Sequence, residues 1–175
     1  MVTAQGNFTG ELTKAFLIAS GAAFTVSTPT DRVYDGLPYQ PDPQVKAGER
    51  VLAENTDYIL TYPADLVNAG EKQGKVTGIG NYTGAEGAFS YHLKPQSLED
   101  AAVRVSIPDQ IYSGAALTPP PVVTYQTEDG RMLFLTAGTD YVLAYANNTE
   151  VGTAAVTLTG KGNYADVRTV AFQIT

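Results

Sequence analysis

The chain has 175 residues, 43% of them hydrophobic and 17% charged, enough for one large or two small folded domains and unlike a disordered tail. Eighteen acidic residues against eleven basic ones leave a net charge of −7, which disfavours phosphate backbones and anionic lipid heads as partners. The absence of cysteine excludes disulfides, thiolate zinc sites and cysteine nucleophiles, and the single histidine, His92, leaves little imidazole chemistry.

From the N-terminus, residues 1–20 carry a Gly6-Asn7-Phe8-Thr9-Gly10 corner followed by Phe16-Leu17-Ile18. The apolar run from Ala15 to Val26 is short, broken by Ser20 and Gly21, and preceded by Glu11 and Lys14 rather than a basic leader. It is expected to be strand rather than signal peptide or membrane anchor, with any export signal encoded elsewhere. Residues 21–95 follow. Here Tyr58, Leu60 and Tyr62 share one strand face, and Gly36, Pro38, Pro41, Pro43 and Gly48 punctuate edge strands or connections. Lys94 to Asp100, with a proline and three charges, reads as a linker. In residues 101–175, Tyr141, Leu143 and Tyr145 share a face. Val156 and Leu158 alternate with Thr157 and Thr159, and Val170, Phe172 and Ile174 alternate with Thr169, Ala171 and Gln173. No window sustains a helical apolar period.

The chain repeats itself. Tyr34-Asp35-Gly36 recurs as Tyr112-Ser113-Gly114, and Asn55-Thr56-Asp57-Tyr58 as Gly138-Thr139-Asp140-Tyr141. Ala69-Gly70 recurs as Val151-Gly152, Gly80-Asn81-Tyr82 as Gly162-Asn163-Tyr164, and Phe89-Ser90-Tyr91 as Phe172-Gln173-Ile174. All five matches keep their order and nearly constant spacing. The N-terminal corner and Phe16-Leu17-Ile18 match the end of the same unit, so the expected organisation is a partial repeat (1–20, a final hairpin) and two full ones (21–95 and 101–175). Roughly seven short strands in about eighty residues is the arithmetic of an immunoglobulin-like β-sandwich. The fold expected is all-β: two tandem Ig-like β-sandwich domains preceded by the C-terminal hairpin of a further repeat.

The ordered motifs, most completely Tyr112-Ser-Gly, Asp129-Gly130, Gly138-Thr-Asp-Tyr141, Asn147-Asn148 and Gly162-Asn-Tyr164, resemble the tandem bacterial immunoglobulin-like repeats of large secreted or cell-wall-attached surface proteins. The first copy departs from the pattern by replacing the Asn-Asn turn and shortening the Asp129-Gly130 hairpin. The resemblance implies a non-catalytic extracellular segment on the bacterial cell surface, a stalk or spacer with a role in adhesion, and no catalytic residues. Its expected partners are neighbouring repeats of the same protein, with a host protein or a glycan as further candidates.

Candidate sites weigh against simpler readings. Eight of the eleven tyrosines fall into the matched pairs 34/112, 58/141, 62/145 and 82/164, which marks them as core. The unmatched Tyr39, Tyr91 and Tyr125 are the candidates for surface contact, and as an aromatic platform they would make the chain a carbohydrate-binding module, the alternative reading. The Gly-Asn-aromatic corners read as turns, since a phosphate loop would lead into a helix. Asp57 and Asp140 are expected to close turns onto backbone. Glu99, Asp100 and Asp109 are the one acidic group to weigh for calcium, yet no calcium-loop spacing exists. No cofactor, metal, nucleic acid or membrane insertion is expected. His92 has no aligned nucleophile or carboxylate, and no enzyme activity is expected.

Overall fold

The computed structural model describes residues 2–3, 11–12 and 23–175. The described residues form an all-β structure of several small sheets, with one 3-10 turn at Gly80–Tyr82 and no α-helix. Val2–Thr3 pairs antiparallel with Glu11–Leu12. The Gly6-Asn7-Phe8 corner and Phe16-Leu17-Ile18, on which the partial repeat rests, lie outside the described residues.

Two sheet plans recur along the chain. In the first copy, Phe24–Val26, Val45–Ala47 and Arg50–Val51 form a three-stranded sheet, and Arg32–Val33, Glu86–Lys94, Gly70–Gly78 and Tyr58–Thr61 form a four-stranded one in that spatial order. In the second, Val103–Ser106, Val122–Gln126 and Met132–Phe134 form one three-stranded sheet, and Tyr141–Ala146, Gly152–Gly160 and Val167–Ile174 form another. The short parallel pairing of Arg32 with Leu93 has its counterpart in a parallel bridge between Gln110 and Ile174.

The matched motifs make matched hydrogen bonds. Leu52 N–H donates to Val45 O and Leu135 N–H to Val123 O. Ile79 N–H donates to Asp57 O and Lys161 N–H to Asp140 O, while Tyr34 N–H donates to Lys94 O and Tyr112 N–H to Thr175 O. The aspartates close their turns as expected: Asp57 Oδ2 accepts from Ala53 N–H at 3.0 Å and Asp140 Oδ2 from Thr136 N–H at 2.7 Å. The corner before each aspartate needs positive φ, which Asn55 supplies at 62° and Gly138 at 85°. Both residue types reach the left-handed region at low cost, so the two letters differ while the turn is kept.

The chain divides into two compact units, one of Met1–Thr28, Asp42–Tyr62 and Gln73–Phe89, the other of Pro29–Pro41, Pro63–Lys72 and Ser90–Thr175. In the first, Val45, Leu52, Tyr58, Val76, Tyr82 and Phe89 are buried. Tyr62 packs edge-on against Phe89, with ring centroids 5.6 Å apart. In the second, Val103, Val123 and Tyr125 from one sheet, with Leu135 just past its last strand, share a buried cluster with Tyr141, Val156 and Leu158 from the other, closed by Leu98 and Tyr164. The strand Gly152–Gly160 shows how sequence writes this packing: Ala154, Val156 and Leu158 are buried while threonines take the other face. There Thr157 and Thr169 are direct cross-strand partners with hydroxyls 3.0 Å apart.

The expectation that the eight matched tyrosines form core holds for both members of the 58/141 and 82/164 pairs. Tyr34, Tyr62 and Tyr145 are half-buried. Tyr112 departs from it, with 46% of its surface exposed.

Candidate functional site

The three tyrosines singled out for surface contact do not form a platform. Tyr91 is only 1% exposed and Tyr125 6%, so the expectation of exposed rings is corrected at both. Tyr39 is half-buried, its ring edge-on to Tyr91 at 5.5 Å and the Arg32 guanidinium 5.5 Å from its centroid. The Tyr39 hydroxyl donates to Thr30 O at 2.9 Å, and the Tyr91 hydroxyl donates to Tyr39 O at 3.2 Å. The physical reason is register. The matched bonds at Lys94 and Thr175 set Tyr91 opposite the buried Phe172, two residues away from the Phe89–Phe172 match expected from the sequence. Tyr125 lies two residues after Val123 on the same inward face.

The remaining candidates have local duties. His92 is exposed between buried Tyr91 and Leu93, and its backbone N–H donates to Asp31 Oδ1 at 3.0 Å. That bond, then Lys94, holds the Asp31 carboxyl below its usual range. Asp109 Oδ1 accepts from Gln173 N–H at 2.8 Å, the counterpart of the Asp31–His92 bond. Asp100 Oδ1 accepts from Ala102 N–H at 2.8 Å. Among the described residues no group of three or more His, Cys, Asp or Glu side chains could hold a metal ion.

The second unit does bring together residues far apart in sequence. The stretch Lys94 to Asp100, expected to be a plain linker, is woven into the structure. Gln96–Ser97 forms a parallel ladder with Tyr164–Ala165, Gln96 N–H donates to Asn163 O, and Leu98 N–H to Ala165 O. Leu98 is buried in the cluster. The Arg168 guanidinium donates to Leu98 O at 3.1 Å and Val103 O at 2.6 Å, with Asp100 O at 3.4 Å.

Two loops of the first copy meet the same corner. Tyr34 packs edge-on to Tyr164 at 5.5 Å between centroids and 76° between planes. Burial pushes both phenols up, Tyr164 the more strongly. Next to Tyr34, Asp35 O accepts from Arg131 Nη2 at 2.9 Å, and Gly36 faces the Leu133 side chain closely enough that an added Cβ would lie 3.3 Å from it. From the other loop, Ala69 N–H donates to Asn163 Oδ1 at 2.7 Å and Asn163 Nδ2 donates to Asn68 Oδ1 at 3.0 Å. That loop is pinned by Asp65, which accepts from Val67 N–H and Asn68 N–H at 3.0 Å each and from Lys72 Nζ at 2.9 Å. These bonds, with Asn68 N–H first, hold its carboxyl far below the usual range.

The chemistry here is ring on ring and side chain on backbone carbonyl. Such an arrangement fixes one segment against another. The sequence reading treated Asn163 only as a turn residue and gave Arg131 and Asn68 no part. The available signal was the Asp129-Gly130 hairpin, shortened in the first copy to the turn between Ala47 and Arg50, which in the second carries Arg131 to Asp35.

Asp129 sets that arginine. Its carboxylate takes a short hydrogen bond from Thr127 Oγ1 and one from Arg131 Nε at 2.7 Å, which lower its pKa from 3.8 to about 2. A carboxylate whose folded pKa lies below its unfolded value adds stability that is complete above the unfolded value and vanishes as pH falls through the folded one. Asp129→Asn is therefore expected to lower the melting temperature near neutrality, with the gap to the parent chain closing between pH 3.8 and about 2. Calorimetric melts across that range check it. An unchanging gap would mean that Asp129 acts through its shape and not its charge.

No protein-family model matches the chain, and no curated protein matches it closely enough to count as a relative.

Proposed function

We propose that the chain is a non-catalytic segment of an extracellular bacterial surface protein, built as tandem Ig-like β-sandwich repeats and serving as a stalk or spacer. Two supports carry this reading. Matched motifs make the same turn and ladder hydrogen bonds in both copies, as expected of a duplicated unit. The second support, which carries most weight, is the ordered junction at residues 94–100. Backbone pairing, the Asn163 amide and the Arg168 guanidinium fix the end of the first repeat to the second, where a flexible tether would leave such residues in solvent. A spacer needs joints that resist bending, and this one is made of directional bonds. Adhesion belongs to the same proposal, through a host protein or a glycan.

Pulling the chain from its two ends in an optical trap tests the reading. Two discrete lengthening steps are expected, each releasing one repeat, about 250 Å of contour at ~3.3–3.6 Å per residue. One cooperative step for the whole chain, or smooth extension without steps, would contradict it.

A further inference from the structure

The second repeat carries the residues that, in the first repeat, make the junction. Tyr34 matches Tyr112, Asp35-Gly36 matches Ser113-Gly114, and Asn68-Ala69 matches Glu150-Val151. The backbone setting is matched as well. Tyr34 N–H donates to Lys94 O and Tyr112 N–H to Thr175 O, while Tyr39 N–H donates to Leu66 O and Leu117 N–H to Asn148 O. Gly36 and Gly114 share positive φ, at 79° and 74°. What differs is cover. Tyr34 is half-buried against Tyr164, whereas Tyr112 is 46% exposed, its neighbour Ile111 82% and Val151 65%.

We infer that Ile111, Tyr112 and Val151 form a docking face for the Gly-Asn-Tyr corner of another repeat, presented by Gly80-Asn81-Tyr82 of a second copy of this chain. The inference rests on the spacer reading and names the contact by which such repeats would add. The chemistry is complementary. Asn163 answers Ala69 N–H with its carbonyl and Asn68 Oδ1 with its amide. The exposed Asn81 offers the same two groups to Val151 N–H and the Glu150 carboxylate. Tyr82, 8% exposed and tilted against Phe24 at 6.0 Å between centroids, stands where Tyr164 receives Tyr34, and the Tyr112 ring would pack on the corner beside it. The contact uses two different surfaces, so it is head-to-tail and open-ended.

The chain has no cysteine, which permits a clean test. Full-length Val151→Cys and Asn81→Cys variants are mixed in equal amounts and oxidised. The mixed dimer should exceed the same-variant dimers by about fivefold, the scale of one aromatic pair, and Tyr112→Ala in the Val151→Cys chain should return it to parity. Parity from the start, indifference to Tyr112→Ala, or no dimer would overturn the inference. An Ala69→Cys/Asn163→Cys chain, whose positions touch within one molecule, separates the two claims. If it closes internally while the mixture stays at parity, the docking face falls and the spacer reading stands. If it fails to close, the fixed junction and the docking face fall together.

Discussion

Replacing Tyr164 with alanine is expected to cost about 3–5 kcal/mol of unfolding free energy, the range for removing a buried aromatic ring. Tyr164 closes the cluster shared by Val123, Tyr125, Tyr141, Val156 and Leu158, so truncation opens a cavity that rigid strands on both sides cannot collapse. The ring also receives Tyr34 edge-on. A double-mutant cycle between Tyr34→Ala and Tyr164→Ala should therefore show coupling of about 0.5–1.5 kcal/mol. Tyr164→Phe keeps the ring and should cost no more than about 1.5 kcal/mol. Denaturant unfolding of the parent chain and the four variants measures all of these. A small loss for Tyr164→Ala would mean that the ring is not part of the packed interior, and zero coupling would detach Tyr34 from it.

The second large effect is at Gly160. Its φ is not in the left-handed region, so alanine fits the backbone conformation, and in open space Gly→Ala would stabilise by about 0.4–1 kcal/mol through the unfolded chain. The space is not open. A Cβ there would lie 2.6 Å from Ala165 N and 2.7 Å from Ala165 Cα, which are backbone atoms of the strand that pairs with Gln96–Ser97. Gly160→Ala is therefore expected to destabilise by about 2–3 kcal/mol, as overpacking against an immovable wall does. It should also speed exchange of the Gln96 and Leu98 amides, whose acceptors are the carbonyls of Asn163 and Ala165. Gly78 occupies the matching place, with a Cβ 2.0 Å from Tyr82 O, and should respond in the same direction. Unfolding curves decide the sign. A stabilised Gly160→Ala chain would show that this approach is looser than described.

Much of the architecture was legible because duplication makes one chain its own comparison. The Asn55/Gly138 exchange, the Asp57/Asp140 turns and the inward Val156 and Leu158 could be read from matched letters and period-two alternation. Tyr91 was hidden because the matched letters pair Phe89 with Phe172, whereas the strands align the buried Phe172 with Tyr91 itself. The junction was hidden for a different reason. Tyr34 and Tyr112 carry the same letter, yet Tyr34 is covered by Tyr164 and Tyr112 is exposed, a difference that no local pattern encodes. Arg131, Asn163 and Arg168 act on carbonyls and amides remote in sequence, so spacing gave them no signal. Gly78 and Gly160 were silent too. A glycine at the end of a strand reads as a plain stop until the neighbouring backbone it admits is seen.

The central claim is that a single hydrogen-bonding plan is laid down twice, and native-state amide exchange on the full chain tests it most directly. Matched amides, Leu52 with Leu135, Asp57 with Asp140, Ile79 with Lys161 and Gly78 with Gly160, each donate to an acceptor at a matching place in their own copy. The account predicts that both members of every pair are protected. Protection confined to one copy, with its counterparts exchanging as free chain, would contradict it.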